Sequence, residues 1–158
     1  MKTMKRLLIP IFLLPVSFLF AIQANFCYGA RPVTVKLSFT APQKGQQLKV
    51  GQPFTCQGKF QCDPRNAKLD QVHIWLFLLD RDGKLIRYWI QRPAALNKKG
   101  LWEGVVSPAK GAFQVAAVLA DPSADKLFKT WIARGTVSMQ YELPRGTQIL
   151  AAVGVKTK

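Results

Sequence analysis

Apolar and polar residues alternate strictly over 33–40. Val33, Val35, Leu37 and Phe39 interleave with Thr34, Lys36, Ser38 and Thr40, the period of a strand with one buried face. Turn-forming residues fill 42–51, and 53–60 reads as a second strand. The strongest strand covers 71–79 and ends at Asp80-Arg81-Asp82-Gly83, where Gly83 can supply the positive φ of a hairpin loop. The chain returns over 84–91, and further strands are expected at 101–106, 113–120, 136–143 and 148–155. Many short strands at close spacing predict an antiparallel sandwich or barrel.

The pattern changes once, at 121–135. Ala124, Leu127, Phe128, Trp131 and Ile132 follow the spacing of one helical stripe, with Lys126, Lys129 and Thr130 on the other side. Asp121 can cap such a helix, Pro122 suits its first turn, and Gly135 suits its stop. Arg134 falls where the helix dipole favours a cation. A short amphipathic helix over about 122–134 is therefore expected before the last strands.

Strand 71–79 is apolar on both faces. Val72, Ile74, Leu76 and Leu78 point one way; His73, Trp75, Phe77 and Leu79 point the other. Exposing either face costs about 25 cal/mol per Å², so each needs a cover: the helix, a loop or a partner protein. A three-residue loop 81–83 would set Asp80 opposite Lys84 and Trp75 opposite Trp89. A loop one residue different reverses the relation. The first register makes a mixed aromatic and basic plate from His73, Trp75, Arg87, Trp89 and Gln91. The second, favoured because Arg87 is costly inside a core, buries Trp75.

The amino terminus reads as an export signal. Lys2, Lys5 and Arg6 precede an apolar tract at 7–22 broken by Pro10 and Pro15, shorter than the roughly 20 residues of a membrane span. Cleavage is expected between Gly29 and Ala30, with Ala24/Asn25 as the competing cut. Bulky Phe26 before Cys27 argues against a lipid anchor. The remainder, 30–158, suits a single domain with no membrane span.

Charge changes the picture of partners. The chain has 23 Lys plus Arg against 8 Asp plus Glu and one His. Removing 1–29 leaves about +12, which favours acidic proteins or anionic polymers. The basic positions do not form a run, and Lys98-Lys99 is the one adjacent pair after the signal. No nucleic-acid-reading motif is present.

Candidate chemistry is sparse. One histidine, His73, with two cysteines cannot complete a zinc or blue-copper set within one chain. No haem-attachment motif, nucleophile elbow or phosphate-binding loop is present. Asp80 and Asp82 beside Gly83 suit a turn. No catalytic residue, metal or cofactor is therefore expected. Export permits a Cys56–Cys62 disulfide. Six residues of straight strand span about 20 Å, however, so the bond needs a reversal near Gly58 or after Phe60.

Several short segments occur in order. They are Gly51 before a strand, Val72-His73-Ile74-Trp75, Tyr88-Trp89-Ile90-Gln91, Gly100-Leu101-Trp102, Gly111-Ala112-Phe113-Gln114-Val115 and Leu143-Pro144-Arg145-Gly146. Together they resemble the immunoglobulin-like β-sandwich modules of exported bacterial proteins. The resemblance implies an all-β, immunoglobulin-like antiparallel β-sandwich that binds, spaces or assembles, and it carries no catalytic residues. Strand 113–120 lacks the cysteine of antibody-type domains.

The expected function is a non-enzymatic exported module, an accessory or structural subunit docking onto a larger extracytoplasmic complex through an acidic or apolar-faced partner protein. Its apolar interface candidates are Ile74, Leu76, Leu78, Leu127, Phe128, Trp131, Leu150 and Val153. The alternative is a binder of anionic glycan or cell-wall polymer through Arg87, Trp89, Gln91, Arg92, Lys98 and Lys99. The uncharged run at 149–153 further suggests a sheet edge open to strand addition.

Overall fold

A computed structural model describes residues 24–27, 32–62, 72–135 and 139–158. Ten strands and one helix follow in order: β1 (Ala24–Cys27), β2 (Pro32–Ala41), β3 (Gln46–Leu48), β4 (Phe54–Cys62), β5 (His73–Asp82), β6 (Leu85–Leu96), β7 (Leu101–Val106), β8 (Gln114–Ala120), α1 (Pro122–Ala133), β9 (Met139–Gln140) and β10 (Thr147–Thr157). The strands join in one hydrogen-bonded path, β1-β2-β4-β7-β6-β5-β8-β10-β3, with β9 paired to β6. The protein is thus mostly β with one short helix, as its patterning predicts.

The sheet is mixed, which corrects the expectation of a purely antiparallel one. β3 runs parallel to β10, with Gln46 opposite Val155. After a bulge between Phe39 and Ala41, β2 leaves β4. A turn closed by Gln46 N–H donating to the Gln43 carbonyl at 3.0 Å then carries the chain to the far flank of the sheet. Three residues inside a turn-rich stretch carry no readable period. β1 falls within the segment read as an export signal. Of the strand expected at 136–143, only Met139–Gln140 is a strand, and 136–138 lies outside the described residues.

The path curls so that its two flanks share one core. Val35 and Leu37 from β2, Cys56 and Phe60 from β4, and Trp102 and Val106 from β7 pack in one cluster with Ile74, Leu76 and Leu78 from β5 and Val115 from β8. β6 makes the bend. It pairs with β5 along most of its length and with β7 at Ala95 and Leu96.

The other face of β5 lies under α1. Trp75 and Phe77 meet Phe128 edge-on, with ring centroids 5.3 and 5.4 Å apart. Phe128 is fully buried, which contributes roughly 1.5–3 kcal/mol. α1 starts as its sequence predicts, with the Asp121 carboxylate accepting from Ala124 N–H at 2.8 Å and Pro122 following. Gly135 takes a φ of 64° just beyond its end, the left-handed stop that glycine accepts most readily. Both apolar faces of β5 are therefore covered within the chain.

The hairpin register differs from the three-residue loop considered above. Asp82 pairs with Leu85, leaving Gly83-Lys84 as a two-residue turn, and Trp75 stands opposite Pro93. Trp89 faces Leu78 on the opposite side of the sheet from Trp75. The mixed plate with His73 and Trp75 does not form.

Gly58 marks a tight contact in the core. It pairs with Trp102 across β4 and β7, and a Cβ there would overlap the Ser38 carbonyl and the indole ring. Gly58→Ala is expected to destabilise the fold by about 1–3 kcal/mol. Urea denaturation monitored by tryptophan fluorescence measures it, and an unchanged midpoint would contradict the packing described.

Candidate functional site

The residues proposed as a basic and aromatic surface are not brought together. The Arg87 guanidinium forms a two-pronged pair with Asp80, at 2.8 and 2.9 Å, and lies 3.8 Å from Asp82. The Tyr141 hydroxyl donates to Asp82 at 2.9 Å. Arg87 is thus spent on closing the hairpin, which explains how its charge is tolerated beside the core. Trp89 packs partly against the inner core, with Arg87 5.8 Å from its ring centroid. The Gln91 side chain accepts from Ser107 N–H at 2.9 Å. Arg92, Lys98 and Lys99 remain exposed.

Most of the apolar interface candidates are consumed by the fold. Ile74, Leu76, Leu78 and Phe128 are at most 1% exposed, so they offer no surface to a partner. Leu150 and Val153 pack partly against the inner core. Leu127, at 36%, and the half-buried Trp131 keep some exposed area on α1. β10 is flanked by β8 over Thr147–Gly154 and by β3 over its last residues. Its register shifts between Ile149 and Ala151, a bulge of the kind that blunts an edge against strand addition.

Patterning alone missed a polar centre beneath α1. Asp125 is 6% exposed. Its carboxylate accepts from Trp75 Nε1 at 3.0 Å, pairs with Lys129 Nζ at 2.7 Å, and lies 3.6 Å from His73 Nδ1. Burial pushes the Asp125 carboxyl up, but the hydrogen bonds from Lys129 and Trp75 and the nearby cationic groups hold it below its ordinary value. This arrangement ties the helix to β5. The Asp125–Lys129 spacing of i, i+4 was the signal available in the sequence.

The Cys56–Cys62 bond is excluded by geometry. Both residues lie on the unbroken strand β4, with no reversal between them. Cys56 is a fully buried free thiol, and burial pushes its pKa up to about 12. Among the described residues no group of three metal-ligating side chains gathers, and no helix is long and apolar enough to cross a membrane.

The positive charge, in contrast, stays on the surface. Among the described residues, ion pairs form only at Arg87, Lys129 and His73. Five of the six described carboxylates are engaged within the chain, while the sixth, Glu142, is exposed and forms no ion pair among the described residues. Asp80 holds Arg87, Asp82 accepts from Tyr141, Asp121 caps α1, Asp125 is buried, and Glu103 accepts from Gln57 Nε2 at 2.8 Å.

A groove of about 420 Å³ lies where β4, β6 and β7 meet, lined among others by Gln57, Leu96, Asn97, Leu101, Trp102 and Glu103. Lys98 and Lys99 sit in the turn between Asn97 and Leu101. Lys59 stands opposite Leu101 across the strands. No family model matches this chain, and no curated protein matches it.

Two outcomes follow from this geometry. Because Asp125 has a lower pKa folded than unfolded, its stabilisation is present above the ordinary carboxylate pKa of about 3.9 and is lost as pH falls through the folded value. Asp125→Asn should therefore lower the melting temperature at pH 7, with the gap to the parent chain narrowing as pH falls below the ordinary carboxylate range. A gap independent of pH would refute the charge assignment. Cys56, for its part, should resist alkylation in the native state and react once the chain is unfolded. Peptide mass mapping after iodoacetamide treatment reads this directly, and native labelling at Cys56 would refute its burial.

Proposed function

We propose that this protein is a non-enzymatic exported binding module, an accessory subunit that docks onto an acidic partner protein in an extracytoplasmic complex. The observation that carries the reading is the unneutralised positive surface. Most described lysines and arginines face solvent without an ion pair, while five of the six described carboxylates make contacts within the chain. Such a surface steers anionic partners and tolerates little self-association. An immunoglobulin-like sandwich architecture belongs to the same reading. The curl that brings β2, β4 and β7 over β5, β8 and β10 supports it, as does the passage of the chain from β2 to β3 across the flanks.

The apolar part of such an interface is smaller than the sequence suggests. On α1, Leu127 and Ile132, 36% and 42% exposed, flank buried Phe128, and Trp131 is half-buried. Lys126 on the helix and Arg134 at its C-terminal cap are exposed. A contact of this composition pairs a modest apolar centre with a cationic rim.

Purification from the native source at low salt should yield the chain bound to an acidic protein, released as ionic strength rises and surface charges are screened. Size-exclusion chromatography at two salt concentrations checks this. A lone monomer at both salts and at all concentrations would overturn the reading.

A further inference from the structure

We propose that the groove between β4, β6 and β7 binds an anionic carbohydrate. This goes beyond docking to a protein and rests on the same unneutralised cations. Its volume of about 420 Å³ lies within the roughly 300–1,000 Å³ of small-ligand sites. Arg87 and Trp89, the pair that the sequence suggested for such a ligand, are tied up elsewhere. The groove instead brings together Gln57 from β4, Glu103 from β7 and Asn97 from the β6–β7 turn, and Lys98 and Lys99 belong to that same turn, outside the lining.

Those polar groups are already held in place. Glu103 accepts from the Gln57 amide through one carboxylate oxygen, which leaves the Gln57 carbonyl and the second Glu103 oxygen available as acceptors. The Asn97 carbonyl oxygen accepts from the backbone N–H groups of Lys99 and Leu101, at 2.9 and 3.0 Å. This fixes the turn that presents Lys98 and Lys99 and leaves the Asn97 amide as a donor. Leu96 and Leu101 add apolar lining on which the C–H face of a sugar ring can rest. Acceptors and donors held by their own hydrogen bonds lose little freedom when a polyhydroxylated ligand arrives.

The anion preference comes from lysines that neighbour the lining residues along the chain or across the strands, without being part of the lining. Lys59, Lys98 and Lys99 are exposed and form no ion pair among the described residues. Glu103 is the one carboxylate in the lining, and its role separates a built site from simple adsorption. In the groove its carboxylate accepts from ligand hydroxyls, a charge-assisted bond. To diffuse electrostatic attraction it is only an opposing charge.

The experiment is calorimetric titration of the full folded chain with hexameric oligogalacturonate, with maltohexaose as the uncharged control. The acidic hexamer should bind more tightly than maltohexaose. Lys98→Ala combined with Lys99→Ala should weaken its binding about tenfold. Lys84→Ala combined with Arg145→Ala removes equal charge from the β5–β6 turn and the loop before β10, away from the groove lining, and should change binding less than about twofold. Glu103→Gln should weaken binding even though it makes the chain more positive. In nuclear magnetic resonance spectra, shifts should concentrate at the Gln57 and Asn97 side-chain amides and the Trp102 indole N–H. Tighter or unchanged binding by Glu103→Gln, or equal losses from the two lysine and arginine pairs, would overturn the groove while leaving a cationic docking surface intact. No binding of the acidic hexamer would overturn the carbohydrate proposal and leave the protein-docking reading to its own test.

Discussion

A strand that is apolar on both faces cannot rest with either side in water, and β5 is such a strand. From Ile74 to Leu79 each residue is at most 3% exposed. One face requires the sheet to curl until β2, β4 and β7 lie over it. The other requires α1, whose Phe128 sits between Trp75 and Phe77. Each large side chain so buried stabilises the fold by roughly 1.5–3 kcal/mol. Asp125 then adds direction to a contact that apolar burial leaves non-directional, because Trp75 Nε1 can reach it in only one seating of the helix.

The same constraint shapes what faces outward. With the apolar faces covered internally, the surface left for recognition is polar and cationic. Carboxylates serve structural tasks: Asp80 offsets Arg87 at the hairpin, Asp121 opens the helix, and Asp125 anchors it. Gly146 belongs to this economy of space, since a Cβ there would meet the Asp121 carboxylate. Unpaired lysines therefore outnumber unpaired carboxylates on the described surface, because most of the described counter-charges are held within the fold. This is a physical basis for attraction to anions that does not depend on a run of basic residues in the sequence.

Much of the fold was legible in the sequence because its cause is local. Period-two alternation located β2, and continuous apolar runs located β5 and β8. The helix was readable from Asp121, Pro122, Gly135 and its stripe, each acting within one turn. The stripe overstated burial, however: Leu127 and Ile132 share the spacing of Phe128 yet stay partly exposed, since α1 crosses the sheet on a face narrower than the stripe. β3 was not readable, because three residues held by a neighbour distant in sequence need no period of their own.

The candidate site was far less legible. Residue types and charge excess follow from composition, so a cationic exterior and a shortage of metal ligands could be stated from the chain alone. Which side chains meet is a matter of register, and a one-residue change in the turn at Gly83-Lys84 would exchange the faces of β6. That choice tied Arg87 to Asp80 and set Trp89 against Leu78, leaving both half-buried. The groove assembles Gln57 and Glu103 from paired strands β4 and β7 with Asn97 from the β6–β7 turn, a pairing that only tertiary contacts specify. Sequence by itself determined the longer elements and the sign of the field, through local periodicity and charge. Tertiary structure decided which faces were covered and which polar groups became neighbours, because those depend on contacts between residues tens of positions apart.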